Sequence, residues 1–209
     1  MTPFKNLIHS VNELREVTGQ PSELVRRKVI AQLDSHARTF IAASPLLFLA
    51  TADAEGRCDV SPRGDAPGVA AVLDDTHLLI PERPGNRRLD SLTNILQNPH
   101  VGLIFVIPGL DETLRINGQA VVVRDAGLLT PLAVQGRAPE LGIGVTVEEC
   151  YVHCAKSFRR SRAWHSDQWL AAEKWPDIPQ ILADQAGIEG YDRERVAERL
   201  DKDYRDRLY

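Results

Sequence analysis

Arg83, Arg87 and Arg88 crowd around a Pro84-Gly85-Asn86 turn. Guanidinium groups are permanently charged forks that match the geometry of phosphate and carboxylate. The apolar run Leu78-Leu79-Ile80 precedes them. A helical pattern follows, with Leu89, Leu92, Ile95 and Leu96 on one face. Strand, cationic loop and helix start together can hold a phosphate, because exposed backbone N–H groups and the helix dipole both favour an anion there. The whole chain has formal net charge −4, so the cluster stands against an acidic background. The competing reading is a charged helix start in which Asp90 neutralises Arg87. Cations near a helix N-terminus cost about 0.3–1 kcal/mol without an anion, which tilts the choice towards a bound anion. Asn86 is placed to cap a helix beginning at Arg87.

Other residues carry weaker signals. Ser61-Pro62-Arg63-Gly64 closes a strand pattern, where an arginine can project into a cleft or sit on a solvated rim. Leu114-Arg115-Ile116-Asn117-Gly118 reads as a strand, with Arg115 and Asn117 on one face. That polar face is either solvated exterior or pocket wall, and Gly118 suggests a bulge. Cys150-Tyr151-Val152-His153-Cys154 offers two thiols and an imidazole, one ligand short of a zinc site, so no metal is expected. Lys156, Arg159, Arg160 and Arg162 precede Trp164 and form a second basic cluster with an aromatic. Nothing matches a nucleophile elbow, a P-loop or a dinucleotide fingerprint, which argues against hydrolase and nucleotidyl-transfer chemistry.

The elements that position these residues are mostly short strands. Leu46 to Ala52, Cys58 to Ser61, Val69 to Leu73, His77 to Ile80, Val101 to Ile107, Leu114 to Val123 and Val145 to Val152 all carry strand patterns. Tight turns join most of them. One helical pattern follows the arginine loop and ends at Asn98-Pro99. Few helices intervene, so the pattern predicts a mainly β fold, an antiparallel barrel rather than a parallel βαβ sheet. A helical stretch from Ser22 to Ala43 precedes the strands, with Asp34-Ser35 as a break and cap. Helix returns after Pro176, and Val196, Leu200 and Tyr204 form the stripe of the last one. The expected organisation is a helical segment over 1–44, a barrel over 45–165 and a helical extension over 166–209, within a single domain.

At 209 residues, with 43% hydrophobic and 26% charged residues, the chain resembles ordinary soluble globular proteins. The N-terminus has no signal-peptide pattern, and no apolar run approaches a membrane span. Three thinly spread cysteines fit a reducing, cytoplasmic setting. The acidic balance gives no reason to expect nucleic acid as a partner.

The motifs, in this order, resemble the FMN-binding split-barrel family related to pyridoxamine 5′-phosphate oxidase. The matching runs are Phe48 to Ala52, Ser61 to Gly64, Leu79 to Leu92, Asn98 to Phe105, Leu114 to Ala120 and Tyr151 to Lys156. They look most like a bacterial subgroup of probable FMN-dependent enzymes. The resemblance implies a six-stranded split barrel that dimerises with FMN at the subunit interface. It places Ser61, Arg63 and Gly64 near the phosphate or ribityl chain, and Asn86, Arg87 and Arg88 at the phosphate. Pro81, Glu82 and Arg83 run alongside the flavin. Arg115 and Asn117 reach it from the partner subunit, and Lys156 and Trp164 come from the C-terminal wall. The implied function is an FMN-dependent oxidoreductase with a small-molecule substrate and NAD(P)H as a candidate donor. An FMN carrier or sensor, or a barrel binding deazaflavin or haem, are the alternatives. Haem would call on His77, His100 or His153. The chain lacks the Trp and Arg-rich ending of the typical oxidase, so vitamin B6 activity itself is not implied.

Overall fold

The computed structural model describes residues 3–209. Strands form where apolar residues alternate or run together: β1 (Leu46–Ala52), β2 (Cys58–Gly64), β3 (Ala71–Val72), β4 (His77–Pro81), β5 (His100–Val106), β6 (Thr113–Val123) and β7 (Gly142–His153). They make one seven-stranded sheet in the order β2-β1-β5-β6-β7-β4-β3, and every pairing is antiparallel. The resemblance implied six strands. The seventh is β3, a two-residue strand in the stretch read as Val69 to Leu73. Val69 and Ala70 of that stretch are buried in the core, outside the ladder.

The sheet buries one face and curls around it. Leu47 and Leu49 of β1, Leu103 and Phe105 of β5, Ile116 of β6 and Ile143 of β7 are all at most 1% exposed. Each such side chain contributes about 1.5–3 kcal/mol by leaving water, which makes this interior the main source of stability.

Helices flank the barrel: α1 (Val11–Thr18), α2 (Glu23–Arg27), α3 (Ser35–Ala43), α4 (Asp90–Gln97), α5 (Ala126–Leu129), α6 (Lys156–Ser161), α7 (Ile178–Ala186) and α8 (Arg193–Asp206). The Asp34 side chain caps α3 by accepting from Ala37 N–H at 2.8 Å, as the Asp34-Ser35 break suggested. The helix read over Ser22 to Ala43 is nevertheless interrupted. After α2 the chain runs extended, and Ile30 pairs with Cys150 of β7. The reason is tertiary. That pairing lets Leu33 drop into the core at 1% exposure. Of the stripe read on α8, only Val196 is fully buried, and Tyr204 is exposed.

The bulge suggested by Gly118 is present: the β6–β7 register shifts between Asn117 and Gly118. A Cβ at Gly118 would collide with the Thr146 carbonyl, so the two backbones approach as only glycine permits. Gly118→Ala should therefore lower the unfolding free energy by about 1–3 kcal/mol, the usual cost of overpacking, as measured by urea denaturation. Gly85→Ala, where an added Cβ meets nothing within 4 Å, is the matched control and should leave stability nearly unchanged.

Candidate functional site

At one edge of the sheet β2 is unpaired on its outer side, and near the other edge the end of β4 runs past its two-residue pairing with β3. No backbone pairing joins β2 to β4, and side chains link them. Arg63 on β2 pairs with Glu82 just beyond β4, both side chains being 17% exposed. Reciprocally, Asp65 just beyond β2 pairs with Arg83. Asp65 Oδ2 accepts from Arg83 Nε at 2.7 Å and lies 2.7 Å from Nη2, and Arg83 Nη2 donates to the Leu132 carbonyl at 2.9 Å. These two crossed ion pairs form a clasp over the split in the barrel.

Beside the clasp lies a cleft of about 1140 Å³, walled by β2, the end of β4, the 84–89 loop, the start of α4, residues 137–141 and the 206–209 segment. The sequence-derived residues Ser61, Arg63, Gly64, Pro81, Glu82, Arg83, Asn86, Arg87 and Arg88 all line it. Their states differ. Arg63 directs Nη1 to Glu82 and Nε to Ser61 Oγ at 3.3 Å, so two of its donors are engaged. Arg83 has its fork filled by Asp65 and Leu132. Arg88 Nε reaches Asp90 Oδ2 at 2.7 Å, and that pairing raises the guanidinium pKa. Among the described residues, Arg87 pairs with no carboxylate.

The helix begins later than expected. Asn86 Oδ1 accepts from Arg88 N–H at 3.0 Å within the loop, and α4 starts only at Asp90. Arg87 and Leu89 hold left-handed backbone (φ 63° and 58°), which ends any continuous helix from Arg87. Leu89 stands at the cap position, and no side chain satisfies the first N–H groups of α4. Asp90 neutralises Arg88 rather than Arg87, because it lies on the helix side of the kink.

Residues that the sequence did not single out complete the wall. Ser91, 2% exposed, donates to Asp59 Oδ2 at 2.8 Å and contacts Ser61 Oγ at 3.0 Å. Tyr209 crosses the cleft mouth. Its ring lies 5.7 Å beneath the Arg83 guanidinium, its hydroxyl donates to Asp65 Oδ1 at 3.2 Å, and Arg137 Nη1 donates to its main-chain oxygen at 2.7 Å. Nothing in the local sequence around 206–209 signals this, since the contacts come from residues over seventy positions away.

Arg115, Asn117, Lys156 and Trp164 are not in this cleft. Arg115 Nε donates to Asn117 Oδ1 at 3.3 Å, its guanidinium lies 5.8 Å from the Tyr151 ring, and Asn117 Nδ2 donates to Glu149 at 2.7 Å. Trp164 stacks on Phe158 at 5.3 Å and donates to the Leu110 carbonyl at 3.0 Å, while Lys156 is exposed. Cys150 is buried, which pushes its thiol up to about 11, so it behaves as a packing residue. The histidines named for haem point elsewhere. His77 binds Asp74 at 2.9 Å and His100 binds Asn98 at 2.9 Å.

Residues 33–154 match the family model described as pyridoxamine 5′-phosphate oxidase, more than half of the chain. The chain belongs to this family. The family match runs from the Leu33 anchor through the whole barrel, so it covers both walls of the split. Among solved structures, HupZ of Group A Streptococcus is similar at 18% identity and TM-score 0.46, covering 55% of this chain and 89% of that one. General stress protein 26 of Bacillus anthracis is similar at 16% identity and TM-score 0.42, covering 55% and 88%. HutZ of Vibrio cholerae, described as a haem storage protein, is similar at 16% identity and TM-score 0.40, covering 58% and 94%. No curated protein matches the chain.

The clasp yields two expectations. Glu82→Ala should destabilise the protein by about 2 kcal/mol in thermal unfolding, because it strands a mostly buried guanidinium. The double change Glu82→Leu with Arg63→Met should recover most of that loss. The Asp65 charge, burial and the hydrogen bond hold the Tyr209 phenol above its usual value near 10. A raised phenol contributes stability below the unfolded value and loses it as pH climbs past the folded one, so the contact should persist through neutral pH and loosen in alkali. Ultraviolet titration of phenolate should show one high-titrating tyrosine that Asp65→Asn moves down and Tyr209→Phe removes.

Proposed function

We propose that the cleft binds FMN and that the protein is an FMN-dependent oxidoreductase acting as a homodimer. The observation that carries this reading is Arg87, a cation without a counter-ion on the loop that enters the uncapped start of α4. A phosphate supplies what both features lack. The remainder of the wall suits a hydroxylated, partly apolar ligand: Ser61 and Gly64 from β2, Pro81 at the end of β4 and Glu82 just beyond it, and Val69, Ile80 and Leu141 as its apolar lining. The volume of about 1140 Å³ lies just above the usual range of small-molecule sites, about 300–1000 Å³, which leaves room for a ligand as large as a flavin nucleotide. On this reading Asn86, Arg87 and Arg88 hold the phosphate, with Arg63 and Arg83 keeping the split at the width the ligand needs. Bound there, the flavin supplies electron and hydride transfer at its ring. The chain's own residues bind it, orient it and set the electrostatics.

The homodimer is supported by the outward face of the sheet. Phe48, Val60 and Ile104 are exposed on adjoining strands β1, β2 and β5; Phe48 is opposite Ile104, and Val60, opposite Ala50, is its diagonal neighbour. Ile104 pairs in turn with Arg115, and Gly102 with Asn117. A second copy covering this face would bring Arg115 and Asn117, with Lys156 and Trp164 beyond, towards the neighbouring cleft. A small-molecule substrate and NAD(P)H would meet the flavin at that junction. Among the described residues lining the cleft none is a histidine, cysteine or methionine, so a haem there would have Tyr209 as its axial ligand, and that hydroxyl is already engaged by Asp65, which favours flavin.

The test is an absorption spectrum of the purified protein before and after FMN and then NADPH. Twin flavin bands that bleach with NADPH support a flavoenzyme, and bands that persist support a carrier. No bands and no quenching of FMN fluorescence would sink the reading. In a fluorescence titration Arg87→Ala should weaken FMN at least tenfold, in line with the roughly 1.5–3 kcal/mol of a charge-assisted hydrogen bond, and the remaining affinity should depend less on salt.

A further inference from the structure

The serines on the β2 wall have a defined proton direction. A hydroxyl carries one proton and two lone pairs, whereas a carboxylate can only accept. Ser91 gives its proton to Asp59 Oδ2 at 2.8 Å, so in its 3.0 Å contact with Ser61 it must accept. Ser61 therefore donates to Ser91. Arg63 Nε, 3.3 Å from Ser61 Oγ, donates to Ser61 in turn. Every proton in the series Arg63, Ser61, Ser91, Asp59 points the same way, towards the carboxylate. Ser91 is buried at 2% exposure, which shields its bond to Asp59 from competing water.

This direction decides what the wall can bind. Ser61 faces the cleft with a free lone pair and no free proton. A phosphate oxygen placed there would set acceptor against acceptor. A ligand hydroxyl would find a partner. The assignment rests on the flavin reading above and refines it. We propose that Asp59 is a positioning residue that turns the Ser61 and Ser91 protons away from the cleft. It thereby reserves this wall for the hydroxyl donors of a polyol chain and leaves the phosphate to the Arg87 end. An asparagine at position 59 can donate through its amide to Ser91. The series then reverses, and Ser61 presents a proton where the ligand's own hydroxyl proton should go.

Three flavins separate the parts of the ligand: FMN, riboflavin without the phosphate, and lumiflavin without the polyol. Titrated by fluorescence on the full chain, Asp59→Asn should weaken FMN and riboflavin alike by about tenfold, the usual scale of a hydrogen bond that must be reversed, and leave lumiflavin unchanged. Ser61→Ala removes the same acceptor without touching the Ser91–Asp59 bond. It should give the same loss, and the double variant should lose no more. If Asp59→Asn fails to fold by circular dichroism, Ser61→Ala carries the same test. The assignment is overturned if the wild-type chain binds riboflavin and the variants bind it equally well, or if lumiflavin weakens in parallel. If the wild-type chain binds none of the three, the flavin reading itself falls and takes this assignment with it.

Discussion

The shape of the cleft depends on the pair of crossed ion bridges at the split. An antiparallel sheet closed by backbone hydrogen bonds leaves no gap between its strands for a ligand to enter from the side. Here β2 and β4 stop short of pairing, and Arg63–Glu82 and Asp65–Arg83 span the interval instead. Side-chain bridges are longer than ladder hydrogen bonds, so they hold the ends together while keeping them apart. The same four side chains form the inner wall of the cleft. Closure of the barrel and width of the site are therefore one property.

That economy changes the roles of the arginines. A sequence with several arginines near a turn suggests several phosphate ligands. In the folded chain most already have a partner: Arg63 has Glu82, Arg83 has Asp65, and Arg88 has Asp90. Burying an unpaired charge is costly, so arginines that come within reach of carboxylates at the clasp are neutralised there. The residue left over, Arg87, sits where left-handed backbone turns the chain out of the loop and into α4. Among the described residues of this loop, a cation with no carboxylate partner beside an uncapped helix start defines the anion end of the cleft more sharply than a cluster would.

Much of the β architecture was legible beforehand. The bounds of β1 follow its apolar run from Leu46 to Ala52, and β6 follows the alternation around Arg115 and Asn117. Gly118 announced the bulge because only a missing side chain tolerates that approach of backbones. The reading failed where tertiary contacts override local pattern. The helical pattern over Ser22 to Ala43 holds at its two ends, in α2 and α3, yet pairing of Ile30 with Cys150 pulls the chain straight between them. A helix from Arg87 was plausible by pattern, but the left-handed turns at Arg87 and Leu89 moved its start to Asp90.

The sequence by itself determined the family, the strand pattern and the cationic loop, because each is written in neighbouring residues: alternation, a Pro-Gly turn, a run of arginines. The tertiary structure decided which charges are free, which hydroxyls face the cleft and what closes its mouth. Asp59, Ser91 and Tyr209 stand in unremarkable local contexts, and they act only through partners far along the chain. A hydrogen bond or ion pair between distant segments leaves no periodicity in one sequence. It exists only once burial of the core has brought those segments together.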